Sequence, residues 1–330
     1  MKSTTQETYS IDRQQSIRYI LEMNEQDLLE GIIPAKNLLA LSSHVVHGYV
    51  GNDALQFPLN LRNWNVDCIY TTNLSAHPGH GSFTGGKVSA ETVRSIVDGL
   101  RQLDLCINYE AIIVGYVASD DVLRIFWDDV LSKLDETKVI MDPVMGDNGK
   151  VYVHERIVEL YKKLLSSNEV KIDLLTPNQF EMELLTGVEI RSWATVLIAL
   201  EEFCSRYPKI QNVVITSVAI DEKMYCIGAS KGRKFFYKVD EVDAIFSGSG
   251  DLFLGILTDE FINSDGDLPT SLCKTIQIVS KVLSLSYQLV RMESKPRKEI
   301  NGKTYIPDLK LIESRRCMVD EVMAFDPVFL

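Results

Sequence analysis

The sequence predicts an α/β fold built on a doubly wound, mostly parallel sheet flanked by helices. Three observations carry that expectation. Short β-type runs alternate with helix-length stretches over most of the chain, as βαβ units require. Several of those runs are continuously apolar, which suits strands buried on both faces of a parallel sheet. Polar clusters follow directly on three of them, where an open parallel sheet places its ligands.

Taken in order, residues 1–36 are polar and carry no strand signal. Within them 12–30 has helical character through Ile17, Ile20, Leu21 and Leu28, ended by Gly31 and Pro34. The segment reads as a polar extension, a tail or an appended helix, outside a single domain spanning 37–330. In that domain the β-type runs are 38–41, 66–72, 111–115, 139–142, 172–175, 213–216, 225–229 and 235–239. The helix-length stretches are 55–63, 90–103, 120–134, 155–165, 179–185 and 193–206. An apolar helix follows from 252 to 262, and 270–292 reads as a long closing helix. The charged, turn-rich segment 295–304 reads as a loop. No repeat and no linker interrupts the alternation.

Composition narrows the function classes. At 330 residues, with 45% hydrophobic and 24% charged, the chain is ordinary globular protein. A formal charge of −12 argues against nucleic-acid backbone binding as its main task. Six cysteines are scattered without a C-x-x-C pair, as in a reducing compartment. No secretory h-region opens the chain, and the longest apolar stretch, 111–118, is too short to span a bilayer. A cytoplasmic protein, with a nuclear pool allowed and no membrane or nucleic-acid partner, is expected.

The most informative stretch is Phe246-Ser247-Gly248-Ser249-Gly250-Asp251, which runs straight into the apolar helix. Glycines let backbone N–H groups approach a ligand, and a helix N-terminus adds unpaired donors and partial positive charge. A carboxylate beside such an anion cradle suits proton removal from a hydroxyl during phosphoryl transfer. A Gly-x-Gly helix entry capped by Asp is also a common turn with no chemistry. Support comes from the strand ends: Asp142-Pro143-Val144-Met145-Gly146-Asp147, Thr176-Pro177-Asn178-Gln179-Phe180-Glu181 and Thr216-Ser217. Carboxylates placed there suit Mg²⁺, which takes one or two protein oxygens plus water and phosphate. Two other motifs carry less. Gly302-Lys303-Thr304 ends like a P-loop, but Arg297 stands where the leading Gly belongs. His44-x-x-His47 and His77-x-x-His80 hold four of the five histidines, yet no Cys or acidic ligand pattern accompanies them.

These residues together resemble the pyridoxal kinase family, within the ribokinase-like superfamily. The resemblance rests on Ser43-His44-Val45-Val46-His47-Gly48-Tyr49-Val50-Gly51-Asn52 with Phe57-Pro58-Leu59, on the strand-end clusters with Ile215-Thr216-Ser217, on the Gly-Ser-Gly-Asp turn, and on 309–316. It covers about 37 to 317, and fungal members look most similar. It implies ATP-dependent phosphorylation of the 5′-hydroxymethyl group of pyridoxal, pyridoxine or pyridoxamine by a homodimer. Asp251 would be the base, with Gly248, Ser249 and Gly250 as the anion hole. Asp147 and Glu181 would hold Mg²⁺, partly through water, with Asp142 and Thr176 beside the phosphates and a monovalent cation such as K⁺. Asn178, Thr216 and Ser217 would contact ATP, alongside Asp142, Glu181 and Ser249. Ser43, Val50, His77, Pro78 and Tyr116 would meet the vitamer, and Tyr152 would lie on a flap over the site.

One segment departs from the family pattern. Where the family reads Gln-Phe-Ser-Asn-His-Thr-Gly-Tyr, this chain has Asn73-Leu74-Ser75-Ala76-His77-Pro78-Gly79-His80. Pro78 replaces a Thr at the vitamer and brings neither hydroxyl nor N–H. Ser249 for the usual Thr keeps the hydroxyl. Two other readings remain open: a related kinase with a shifted substrate such as hydroxymethylpyrimidine, and a non-catalytic descendant used for binding or regulation. The retained Asp147, Glu181 and Asp251 speak against the second.

Overall fold

The computed structural model describes residues 32–105, 109–134, 136–147, 149–167, 169–293 and 298–330. The helix expected at 12–30 lies outside them. The chain divides after Ala35, and the fold belongs to the unit Lys36–Leu330. It runs β1 (Lys36–His47), α1 (Asn52–Leu61), β2 (Trp64–Ala76), β3 (Gly85–Lys87), α2 (Ala90–Gln102), β4 (Ala111–Val114), α3 (Asp120–Asp129) and β5 (Lys138–Met141). Next come β6 (Gly146–Asp147), β7 (Lys150–Val151), α4 (Glu155–Ser166), β8 (Leu174–Leu175), α5 (Gln179–Thr186), α6 (Trp193–Arg206), β9 (Asn212–Ile220) and β10 (Lys223–Ser230). The last are β11 (Arg233–Val239), β12 (Ala244–Phe246), α7 (Ser249–Asn263), α8 (Leu268–Met292), β13 (Glu299–Ile300), β14 (Lys303–Ile306), α9 (Arg315–Val319) and β15 (Val328–Phe329).

Ten strands form one sheet in the order β15-β11-β10-β9-β8-β5-β4-β1-β2-β3. The six from β9 to β2 in that order run parallel, and antiparallel strands complete both edges. Side chains alternate faces along a strand, so a strand covered on both sides must be apolar throughout. Leu38 and Ala40 of β1 join one apolar cluster while Leu39 and Leu41 join the other; Ala111 and Ile113 oppose Ile112 and Val114 in β4 in the same way. Helices α2 to α6 cover one face, and α1, α7, α8 and α9 cover the other. Because β1 lies between β2 and β4, the winding direction reverses there and opens a crevice at the strands' carboxyl ends.

Three expectations change. β1 and β2 run well past 41 and 72, and Asn73 to Ala76 form the end of β2, where β3 pairs with Thr72, Asn73 and Leu74. The 3₁₀ turn Pro78–His80 comes after it. The segment read as a loop at 295–304 contains a hairpin, β13–β14, closed by Asn301 and Gly302 at φ 52° and 77°. Both positive φ values are those of a type I′ turn, which Asn-Gly favours. β14 pairs parallel with β12, tying this hairpin to the entrance of α7.

On the α1–α7 face, the Arg62 guanidinium binds the carboxylates of Asp259 and Glu260 and donates to the Met318 carbonyl at 2.6 Å. Trp64 Nε1 donates to Asp259 at 2.7 Å. Asp259 is almost fully buried. Removing one partner of a buried pair strands the other charge, typically costing about 3–5 kcal/mol. Arg62→Met is therefore expected to lower unfolding stability in urea by about that amount. A change under about 1 kcal/mol would mean that the network does not bind these helices together.

Candidate active site

α7 opens at Ser249, and Gly248 before it sits in the left-handed region at φ 79°. A Cβ on Gly248 would lie 2.2 Å from the Tyr49 carbonyl oxygen. Glycine is thus required for the turn to close on residues 48–52. Gly250 differs: a Cβ there meets no protein atom within 4 Å, because it would enter the open cleft. The first intrahelical bond runs from Leu252 N–H to Gly248 O at 3.0 Å, which leaves the N–H groups of Ser249 and Gly250 ahead of it. This is the donor set that an anion needs.

Asp251 stands in the first turn of α7. Burial pushes its carboxyl up to about 6, opposed by hydrogen bonds from the Gly51 N–H and its own N–H, with Asp53 adding to the rise. The Gly51 contact joins the β1–α1 turn directly to the acid. A carboxyl of that basicity is ionised at neutral pH yet basic enough to share a proton with an alcohol in a transition state.

The strand ends supply the rest. Ser43 occupies a register shift of β1 against β2, a bulge that breaks the alternation between Ser42 and His44. Ser42 Oγ accepts from the Tyr116 N–H at 3.2 Å, and Thr71 donates to the Tyr116 carbonyl at 2.7 Å, which holds Tyr116 just beyond β4. Asn52 Nδ2 donates to Ser42 O at 2.9 Å and Ile69 O at 3.2 Å, bracing β1 to β2 at the bulge.

Asp142 follows β5, and its carboxyl is held well above the ordinary range by burial and by the charges of Glu181 and Asp251. Glu181 is only 2% exposed. Its Oε1 accepts from the N–H groups of Met145 at 2.9 Å and Gly146 at 3.4 Å, and its Oε2 from that of Asn178 at 2.8 Å. Burial still pushes it up to about 7 against those bonds, with Asp147 adding repulsion. Asn178 completes a capping box with Glu181 and donates to the Gly146 carbonyl at 2.8 Å. The charges that raise Asp142, Glu181 and Asp251 are those of other carboxylates, and no Lys or Arg is among the described residues that line the cleft. Crowded oxygen acids with raised proton affinity, next to an anion cradle, fit a hard divalent cation such as Mg²⁺.

A cleft of about 370 Å³ brings together Asp142, Asp147, Thr176, Asn178, Glu181, Thr216, Ser217, Ser249, Gly250 and Asp251. A second, largely apolar cavity of about 270 Å³ adjoins it, lined by Val45, Leu74, Pro78 and Phe83 among others. Ser43, Val50, His77 and Tyr116 line both, so they stand where the two meet. His77 caps the 3₁₀ turn by accepting the Gly79 N–H at 3.0 Å, and burial lowers its pKa, as does His80. Pro78 occupies the first position of that turn, where a missing N–H is no loss to the backbone. Tyr152, 55% exposed, lines neither space; it leaves β7 with its N–H on the Met145 carbonyl at 2.8 Å. Sequence reasoning missed Lys87 in the apolar cavity and the wall of the polar cleft formed by Val239, Phe253, Ile276 and Val279. On α8 the wall residues share the helical spacing of core positions, so nothing in the sequence sets them apart.

Residues 69–292 match the family model described as phosphomethylpyrimidine kinase. BUD17 of Saccharomyces cerevisiae, provisionally named a pyridoxal kinase, is 36% identical over 304 residues, 87% of this chain and 94% of its own length. Pyridoxal kinase of Arabidopsis thaliana is 35% identical, with 67% of this chain and 72% of that one covered. The chain belongs to the pyridoxal kinase family. Pyridoxal kinase from Leishmania donovani, solved with ADP and pyridoxamine, superposes with a TM-score of 0.76 at 27% identity over 89% of this chain and 99% of that one. This family member thus has the ribokinase-like architecture that its Gly-x-Gly-Asp turn implies.

The raised carboxyls have a stability consequence. Unfolded, Asp251 and Glu181 release their protons near pH 4; folded, they hold them to about 6 and about 7. Their stabilising contribution is therefore complete below about pH 4 and lost as the pH rises through about 7. Without metal, Asp251→Asn is expected to be more stable than the parent at pH 8, by about 3 kcal/mol, with the gap closing towards pH 4. Urea unfolding at both pH values checks this; a gap independent of pH would refute it.

Proposed function

We propose that this chain transfers the γ-phosphoryl group of ATP to the 5′-hydroxymethyl group of pyridoxal, pyridoxine or pyridoxamine. The observation that carries the reading is the position of Asp251 at a glycine-opened helix terminus, in a polar cleft that adjoins an apolar cavity. The vitamer ring would occupy the apolar side, with Ser43 bonding to its polar edge and Val50, Tyr116, His77 and Pro78 as walls. ATP would extend along the strand ends past Asn178, Thr216 and Ser217. Asp251 takes the hydroxyl proton as the oxygen attacks the γ-phosphorus and the β,γ-bridging P–O bond breaks, releasing ADP. The N–H groups of Gly248, Ser249 and Gly250 steady the charge on the transferred group. Asp147 and Glu181 would hold Mg²⁺, Glu181 through water because its oxygens already carry three N–H bonds, and Asp142 and Thr176 would face a monovalent cation such as K⁺. These cations would neutralise phosphate charge. Tyr152 would close over the site from the β6–β7 hairpin. We also propose a homodimer resident in the cytoplasm, with a nuclear pool allowed.

A second reading keeps the chemistry and shifts the acceptor to a hydroxymethylpyrimidine. The description of the matching family model favours it, as does Pro78 at the apolar cavity.

Initial rates with ATP, Mg²⁺, K⁺ and each acceptor separate the readings. The B6 vitamers are expected to turn over with a higher kcat/KM than hydroxymethylpyrimidine, and Asp251→Asn to lower kcat by about 10²–10⁴. Absence of vitamer-dependent turnover, or an unaffected Asp251→Asn, would end the proposal. Preference for the pyrimidine would establish the second reading, and no turnover with either acceptor a non-catalytic role. Pro78→Thr restores a hydroxyl worth about 1–3 kcal/mol to a buried partner, so vitamer KM should fall at least several-fold with kcat nearly unchanged. An unchanged KM would show that position 78 does not set vitamer affinity.

A further inference from the structure

Folding splits both His-x-x-His pairs. His44 Nδ1 bonds to Asp53 at 2.8 Å and its ring stacks on Tyr70, while His77 caps the 3₁₀ turn. The second member of each pair is left at the surface. His47, at the end of β1, and His80, at the end of the turn, approach each other with ring centroids 5.7 Å apart. The acidic partner that the local sequence lacks arrives from beyond β14: Asp308 lies with its carboxylate oxygens 3.1 and 3.2 Å from His80 Nε2 and 3.8 Å from His47 Nε2.

We propose that His47, His80 and Asp308 form a binding site for a divalent transition-metal ion of the zinc type, separate from the magnesium-type carboxylates of the cleft. One donor atom from each of the three lies within 4.8 Å of the others. Zinc–nitrogen and zinc–oxygen bonds of about 2.0–2.1 Å in a tetrahedron put neighbouring donors about 3.3 Å apart, which small side-chain rotations reach from here. Two imidazoles and one carboxylate select zinc and its neighbours over Mg²⁺ and Ca²⁺, which prefer oxygen alone. His47 keeps a side-chain exposure of 73%, so solvent completes the coordination.

The backbone around the three residues is shaped for the approach. Gly48, directly after His47, has φ 96°, and a Cβ there would lie 1.9 Å from Asp308 Oδ1. Gly79, directly before His80, has Tyr305 Oη 1.7 Å from its Cβ position. Lys298 donates to the Gly79 carbonyl at 2.9 Å, and the Tyr305 hydroxyl meets Ser247 Oγ at 2.7 Å. Glycine beside each histidine thus permits the contacts that bring the three donors together. An ion held here would cross-link three segments distant in sequence: the end of β1, the turn with His77 and Pro78, and the stretch after β14.

The test is zinc titration of the full-length protein by calorimetry, with Mg²⁺ in excess to occupy the cleft carboxylates. One equivalent of Zn²⁺ is expected to bind and to raise the melting temperature by about 2–4 °C. Co²⁺ in its place should give the visible d–d absorption of a four-coordinate site. His47→Ala, Asp308→Asn and His80→Ala should each abolish binding and absorption, while His154→Asn, which alters the remaining histidine, should not. His47 is exposed enough that its removal leaves the fold intact. Absence of binding in the parent, binding undiminished in His47→Ala and Asp308→Asn, or equal loss in His154→Asn would overturn the proposal.

Discussion

The carbonyl of Tyr49 and the α-carbon of Gly248 lie so close that no side chain fits between them, and in the same turn the Gly51 N–H bonds to the Asp251 carboxylate. This contact between the β1–α1 turn and the start of α7 joins two parts of the chain about 200 residues apart. It places the candidate base, the anion cradle and the bulged end of β1 in fixed relation. The bulge at Ser43 and the Asn52 brace across β1 and β2 serve the same junction from the sheet side. Without that junction, the helix terminus would be an ordinary cap.

Electrostatics then sorts the cleft. Asp142, Glu181 and Asp251 are buried, and the charges of neighbouring carboxylates add to that burial, so each holds its proton more tightly than a free carboxyl. Glu181 combines a structural part with a candidate functional one in a single side chain. Its oxygens clamp Met145, Gly146 and Asn178, and the negative charge that remains faces the cleft. In the proposed reaction Mg²⁺ and phosphates together would restore neutrality there, so that substrate binding and charge balance would be one event.

Much of this was legible from sequence because single residues impose single local outcomes. Continuous apolar runs such as Ala111-Ile112-Ile113-Val114 suit strands covered on both faces, and the helix-length stretch 193–206 coincides with α6. The Gly-Ser-Gly-Asp turn and the strand-end acids come together as their order in an α/β sheet requires. Less legible were elements set by long-range pairing. Polar residues in the outer halves of β1 and β2 hide their extent, since those halves leave the buried centre of the sheet. The β13–β14 hairpin was missed although Asn301-Gly302 signals it, because charge in the flanking residues reads as loop. Asp308 had no local signal, as its partners lie more than 200 residues earlier.

The junction of Gly248 with Tyr49 is tested most directly by single-turnover phosphoryl transfer in Gly248→Ala with saturating ATP and pyridoxal. A methyl group there strains a backbone at φ 79° and pushes against the Tyr49 carbonyl, shifting Asp251 and the cradle relative to the acceptor. Misplacement of about 1 Å in such a site costs on the order of 10²-fold in rate. Gly248→Ala is expected to lose about that much in transfer rate, with nucleotide affinity within a few-fold of the parent. A transfer rate equal to the parent's, in a folded variant, would contradict it.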